Sequence, residues 1–439
     1  MEKLNFTRSV SLFIISSLLF TKVCFSQSDS TLVQANQFFN YFINGNIDKA
    51  YPYFDDEFKA KVSFEQIKSL QKQFLSSYGN FISINKTSPY TQNNIKYVLL
   101  TVAFDRAKPV FALTLNNKNK IAGLFTTATN YNVKYTDPNY VKKDSYLEET
   151  IAIETGEFRL PGLLTRPKVG ENYPVVVLIH GSGPQNMDEQ TGNLKPFRDL
   201  ALGLASKGIA SIRYDKRTRV YGIKSAPAGQ NIGVEDEVIN DALSAIKYAG
   251  NVKGVNAKKV FLLGHSLGAQ LAPVIATGHQ SLAGILLLAA PARPIGVVLS
   301  EQFRKLVKDS ATLATNLKMA TQITHADTIK NQDKVLLGAT ASYFTELNKM
   351  DQVSIAKKLK LPILILQGER DYQVTLTDVN IWKEQLGKAQ NVVIKSYPKL
   401  NHAFTEGDGA LSEPGEYYIP ANIPEYVIND LTNFINNKL

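Results

Sequence analysis

Apolar residues recur every three to four positions through the first part of the chain: Leu32, Ala35, Phe38, Phe39 and Phe42, then Phe64, Ile67, Leu70 and Phe74. That spacing places them on one face of a 3.6-residue helix, so residues 30 to 78 predict short amphipathic helices. From Phe81 onward the pattern changes to β-forming runs. Lys96 to Phe104 is one, and Pro109 to Leu115 faces Ile121 to Thr126 across the polar turn Asn116-Asn117-Lys118-Asn119-Lys120. Helices followed by an antiparallel sheet predict a small α+β domain over residues 27–135. The aromatic residues of its helices (Phe38, Phe39, Phe42, Tyr51, Tyr53, Phe54) are assigned to a core rather than to a ligand site.

Residues 136–144 are polar, with Asp137, Pro138 and Asn139, and predict a linker. Beyond it, over residues 145–439, strand and helix patterns alternate. The strands are Leu147 to Ile153, Phe158 to Thr165, Pro174 to Ile179, Ala210 to Tyr214, Val260 to Leu263, Gly284 to Ala289, Pro362 to Leu366 and Val392 to Ser396. The helices between and after them are Pro196 to Ser206, Glu235 to Tyr248, Leu267 to Thr277, Asp378 to Leu386 and Pro424 to Asn436. Such alternation calls for a mostly parallel eight-stranded sheet covered by helices on both faces. Residues 292–360 break it with helical patterns alone, and predict a helical cap over the C-terminal edge of the sheet, where open α/β folds bind ligands.

With 439 residues, the chain exceeds the roughly 250 to 300 at which a single core stops growing, consistent with two domains. A formal charge of +10 is scattered and not organised into a basic aromatic stripe, so nucleic acid is not an expected partner. Residues 1–26 have the plan of a secretory signal peptide: Lys3 and Arg8, an apolar run from Val10 to Phe20, then Cys24-Phe25-Ser26. The run is about half of the ~20 residues that span a bilayer, so a secreted or periplasmic protein without a stable membrane anchor is expected. Cleavage after Ser26 removes Cys24, the one cysteine, and with it any thiol nucleophile or disulfide. Lipidation of Cys24 is the competing fate, disfavoured by Lys22 and Val23 where small residues are wanted.

The strongest chemical signal is Val260-Phe261-Leu262-Leu263-Gly264-His265-Ser266-Leu267-Gly268, a strand entering Gly-x-Ser-x-Gly and then a helix. This nucleophile elbow puts Ser266 on a strained turn where flanking side chains would collide with neighbouring elements. A serine hydroxyl needs a base held in the correct tautomer by a carboxylate, and in this fold the chain order is Ser, acid, His. His402 follows the last strand, whereas His279 and His325 have no strand-end position. Directly after the seventh strand, Gly368-Glu369-Arg370-Asp371 supplies the acid: Asp371 is preferred because Gly368 permits a turn back to the site, and Glu369 competes. For the oxyanion, the small residues of His180-Gly181-Ser182-Gly183-Pro184 let the backbone approach, which assigns the N–H groups of Leu267 and Ser182, with Gly183 the alternative to Ser182. His180 and His265 are read as structural.

At these positions the chain resembles the secreted bacterial α/β-hydrolases typified by the EstD-type esterases, which carry a small N-terminal domain of uncharacterised function. The resemblance spans nearly the whole chain after the leader. It rests on His180-Gly181-Ser182-Gly183-Pro184-Gln185, Arg213-Tyr214-Asp215-Lys216-Arg217, the elbow, Gly368 to Val374 and Asn401-His402. It implies the α/β-hydrolase fold with Ser266, Asp371 and His402 as a catalytic triad, and carboxylesterase activity on short to medium acyl chains. One departure is Asn186-Met187, where such proteins carry Asp-Arg, and if that segment lines the pocket it bears on substrate preference. Arg213 to Arg217 reads as an ion-pair cluster fixing a loop, with substrate contact the competing role. The N-terminal helix-then-sheet order resembles the nuclear-transport-factor-like class. An esterase acting on a small acyl ester requires no cofactor or metal. A serine peptidase of the same fold is the alternative, and a non-catalytic binding protein is disfavoured because every catalytic position holds a competent residue.

Overall fold

The computed structural model describes residues 29–92, 95–131, 134–226, 231–277 and 282–437. Residues 1–26, read from the sequence as a signal peptide and including Cys24, and His279 lie outside the described residues. The chain divides into two units, residues 1–134 and 135–439.

The first unit opens with helices α1 (Asp29–Ile43), α2 (Ile47–Ala50), α3 (Asp56–Lys61) and α4 (Phe64–Tyr78). A capping box starts α4, where Ser63 Oγ accepts from Gln66 N–H and Gln66 Oε1 accepts from Ser63 N–H. Strands β1 (Phe81–Gln92), β2 (Ile95–Phe104), β3 (Ala107–Leu115) and β4 (Ile121–Tyr131) follow as an antiparallel meander in chain order, as the sequence pattern predicts. Aromatic rings fill the interior. Phe39 and Phe74 each meet Phe111 with centroids 4.9 Å apart, Phe38 meets Phe54 at 5.1 Å, and all but Phe74 are fully buried. Tyr51 and Tyr53 stand at the margin of this core.

The second unit contains all eight strands expected from the sequence. Their chain order is β5 (Tyr146–Thr155), β6 (Phe158–Pro167), β7 (Tyr173–Ile179), α5 (Pro196–Ala205), β8 (Ala210–Tyr214), α6 (Arg217–Tyr221), α7 (Asn240–Gly250), β9 (Val255–His265), α8 (Leu267–Ala276) and β10 (Leu282–Leu288). An insertion follows, of α9 (Ile295–Leu306), α10 (Ser310–Thr324), β11 (Val335–Leu336), β12 (Ala339–Thr340), α11 (Ala341–Lys349) and α12 (Gln352–Lys358). The chain ends with β13 (Ile363–Gly368), α13 (Leu376–Leu386), β14 (Val392–Tyr397) and α14 (Glu425–Ile435).

The sheet order is β14-β13-β10-β9-β7-β8-β6-β5, parallel from β14 to β8 and antiparallel over β6 and β5. Both faces are buried, which is why the central strands are continuous apolar runs. Val175, Val177 and Ile179 of β7 enter one core with Leu262 and Ile285, while Val176 and Leu178 enter the other with Leu263 and Leu286. Among the described residues no helix is long and apolar enough to cross a membrane.

One sequence expectation needs correction. The insertion is not purely helical: Leu337 and Gly338, with φ of 47° and 88°, close a two-residue turn that makes 335–340 a hairpin. From Tyr135 through the segment read as a linker, side chains are bonded to the second unit's own elements. Tyr135 Oη donates to Asp199 at 2.6 Å, Asp137 pairs with Arg198 at 2.9 Å, and Tyr140 Oη donates to the Ile423 carbonyl at 2.7 Å, all within the second unit.

Candidate active site

Strand β9 and helix α8 meet at Ser266, whose φ of 53° and ψ of −117° lie where a side chain is strained. The turn is held by Ser266 N–H donating to Leu288 O at 2.9 Å and by Gln270 N–H donating to Ser266 O at 2.9 Å. Both flanking glycines are required by close approach. A Cβ on Gly264 would collide with the Gly268 carbonyl, and one on Gly268 with the carbonyls of Ile179 and His180. Leu267 is the first residue of α8, so its N–H has no partner within the helix and faces the end where negative charge is favoured.

The loops after β13 and β14 carry the other two groups. His402 Nδ1 lies 2.7 Å from Asp371 Oδ2. A carboxylate oxygen accepts, so Nδ1 carries the proton and, in the neutral ring, Nε2 keeps its lone pair to accept one. Asp371 is fully buried and fully engaged: Oδ1 accepts from the N–H groups of Gln373 at 2.7 Å and Val374 at 2.9 Å, and Oδ2 also accepts from Gln367 Nε2 at 3.1 Å. The loop bearing His402 is pinned by Asn401 Oδ1, which accepts from Ala403 N–H and Thr405 N–H at 3.0 and 3.1 Å. Gly368 has a role other than the turn expected of it. Its φ is not in the left-handed region, and it is glycine because a Cβ would strike the carbonyls of Leu400 and Asn401. Glu369, the competing acid, turns away and accepts from Ser396 Oγ at 2.7 Å.

Ser266 and His402 line one cavity of about 230 Å³ together with Leu267 and Ser182. Ile295, Val298 and Leu299 of α9 form its apolar wall, with Gln302 of the same helix beside them, so the first helix of the insertion shapes the site. His325 is exposed at the end of α10. Gln185 reaches the cavity, whereas Met187 N–H is tied to Asp215 Oδ1 at 2.7 Å and neither Asn186 nor Met187 lines it.

A second histidine–carboxylate pair lies beside the first, and sequence reasoning missed it. Glu189 is buried with a φ of 49°; its Oε1 accepts from Gly181 N–H at 2.5 Å and its Oε2 pairs with His265 Nδ1 at 3.0 Å. His265 Nε2 in turn donates to the His402 carbonyl at 2.9 Å. Burial opposes charge on both groups, but the attraction of Glu189 pulls the His265 pKa upward, and His265 holds the Glu189 carboxyl below its ordinary value. The pair therefore ties the Gly181 strand end to the His402 loop. Nothing in the polar run around Glu189 signals this, because the contact is made only by folding. His180 is structural as expected: burial between Phe197 and Tyr214 lowers its pKa to about 4 and keeps it neutral.

The Arg213 to Arg217 run forms the ion-pair cluster. Arg213 pairs with Glu148 at 2.6 Å and Asp188 at 3.1 Å, Arg217 with Asp241 at 2.6 Å, and Lys216 with Glu237 at 2.9 Å. None of the five residues lines the cavity.

Residues 170–408 match the family described as serine aminopeptidase, S33, and residues 35–124 match a family described only as a protein of unknown function. Esterase EstD of Thermotoga maritima is 35% identical over 409 residues, covering 92% of this chain and 94% of its own. Among solved structures, Est1E from Butyrivibrio proteoclasticus is similar at a TM-score of 0.45 and 16% identity, covering 66% of this chain and 98% of its own. Pyrococcus horikoshii acylaminoacyl peptidase matches at a TM-score of 0.45 and 14% identity, over 80% of this chain and 56% of its own. The five motifs, the sheet order and the identity over nearly the full length agree: this chain belongs to the serine aminopeptidase S33 family of α/β-hydrolases, alongside Esterase EstD.

Proposed function

We propose that the chain is an exported carboxylesterase in which Ser266, His402 and Asp371 form the catalytic triad. Ser266 Oγ attacks the acyl carbonyl as His402 Nε2 takes its proton, and Asp371 holds the resulting imidazolium. The N–H groups of Leu267 and Ser182 receive the oxyanion of the tetrahedral intermediate. Collapse expels the alcohol with the proton from His402, and water then releases the acid by the same steps. Support comes from the strained Ser266, the 2.7 Å His402–Asp371 contact and their shared cavity. Gly181 N–H is taken by Glu189, which makes Ser182 the first N–H of that loop past the anchor. Export rests on the composition of residues 1–26 alone.

The observation that favours an ester over a peptide is the charge of the cavity wall. An aminopeptidase needs a carboxylate for the substrate ammonium, and among the described residues the one carboxylate lining the cavity is Glu189, already engaged by His265 and Gly181. At about 230 Å³ the cavity is also smaller than the ~300 to 1,000 Å³ of common ligand pockets, which suits short to medium acyl groups. Turnover of p-nitrophenyl acetate, butyrate and octanoate beside aminoacyl p-nitroanilides tests this. The esters should be cleaved at least tenfold faster, the shorter ones best; faster anilide cleavage would establish the peptidase instead.

A further inference from the structure

We infer that Lys216 is a positioning residue for the oxyanion-binding peptide: its buried ammonium grips the Gly181 carbonyl and so orients and polarises the N–H of Ser182. The inference rests on the esterase reading and on Ser182 as an oxyanion donor.

Lys216 lies in the Arg213 to Arg217 run but differs from its neighbours in what it reaches. Its side chain is 3% exposed, and Nζ donates to the Gly181 carbonyl at 3.1 Å while pairing with Glu237 at 2.9 Å. The other Glu237 oxygen accepts from Tyr343 Oη at 2.6 Å, so α11 of the insertion completes the chain of contacts. Gly181 is thus held at both ends by buried charges of opposite sign, its N–H by Glu189 and its C=O by Lys216. It runs close against the elbow, where a Cβ would sit 3.1 Å from Ser266 Cβ.

The Gly181 carbonyl and the Ser182 N–H belong to one planar peptide group. A cation at the oxygen draws electron density through the conjugated unit and makes the N–H a stronger donor. Charge-assisted hydrogen bonds are about twice as strong as neutral ones, and a buried setting strengthens them further. Lys216 is not on the cavity wall, so it meets neither substrate nor the reacting atoms. A salt bridge that merely fixed the loop would serve equally well as a neutral hydrogen-bonded pair. Polarisation requires the charge.

Replacing both partners separates the two roles. Lys216→Met alone leaves Glu237 buried without its cation and should lower Tm; Lys216→Met with Glu237→Gln removes both charges and should recover most of that loss. On p-nitrophenyl acetate the double variant should lose about 10- to 100-fold in kcat with KM within twofold, less than the ~10² to 10³ for removal of a whole oxyanion donor. Inhibition by a trifluoromethyl ketone, which adds to Ser266 and presents an oxyanion, should weaken by the same factor. If that variant does not accumulate folded, Lys216→Gln with Glu237→Gln keeps an N–H toward Gly181 and should show a smaller kcat loss of the same kind. A folded double variant with kcat and ketone affinity within twofold of the parent overturns the inference, as does a parallel change in KM and kcat that follows Tm. The parent enzyme is assayed first: absence of ester hydrolysis there would overturn the esterase reading itself.

Discussion

The two units bury different kinds of atoms. Among the described residues of the first, the buried polar side chains are Thr31, Gln71 and Ser77, and the interior is otherwise rings and aliphatics. The second buries His180, Glu189, Lys216, Glu237, His265, Arg370, Asp371, Asp378 and His402. Taking charge out of water is costly unless each group finds a partner, so such groups are retained where they do something apolar packing would not. In the second unit several of these charges meet the three loops that carry Ser266, Asp371 and His402. An interior of stacked aromatics explains the first unit as a stable body, without giving it a chemical task.

The comparison is tested most severely at Asp371. Asp371→Asn should lower kcat by about 10⁴-fold while leaving the fold intact, because the amide favours the wrong His402 tautomer. Glu369→Gln, two residues away with its side chain on Ser396, should stay within threefold. A steady-state assay of both ranks them, and the reverse order would make Glu369 the acid.

Next in size is the Glu189–His265 pair. The raised His265 pKa gives stability that is fully present below its ordinary 6.5 and is lost as pH climbs through the raised value. The lowered Glu189 pKa gives stability present above its ordinary 4.5 and lost as pH falls through the lowered value. Their joint contribution is therefore fullest between pH 4.5 and 6.5. Glu189→Gln should cost about 3 kcal/mol in that window and flatten the profile of Tm against pH. An unchanged profile would mean that the pair carries no charge.

Much of this architecture could be read from the sequence, for reasons that differ by element. The β9–α8 elbow was legible because Gly264 and Gly268 are demanded by backbone contacts that no side chain survives. His402 and Asp371 were legible because each follows directly on an apolar strand, β14 and β13. Glu189 and Gln367 were not, since both act through contacts made only when distant segments meet. The hairpin at 335–340 hid within a helical spacing of apolar residues that Leu337 and Gly338 interrupt. Residues 136–144 read as a linker because polar composition marks a loop without saying whether its polar groups are bonded. Here Asp137 is held by Arg198.

The smallest expected effect concerns the first unit. A chain beginning at Tyr135, which keeps the bonds of Tyr135, Asp137 and Tyr140, should hydrolyse p-nitrophenyl acetate within about threefold of the full chain. Its losses should fall on solubility or association rather than on turnover. A shortened chain that is folded by circular dichroism yet inactive on every ester would assign the first unit a part in the site.

The central claim is that Ser266 is the nucleophile, and covalent capture addresses it directly. After treatment with a fluorophosphonate, intact mass should rise by one adduct, peptide mapping should place it on Ser266, and esterase activity should disappear in step. Ser266→Ala should take no label and retain less than a few per cent of turnover. Labelling of another residue, or a Ser266→Ala enzyme that still hydrolyses esters at a substantial rate, would contradict the account.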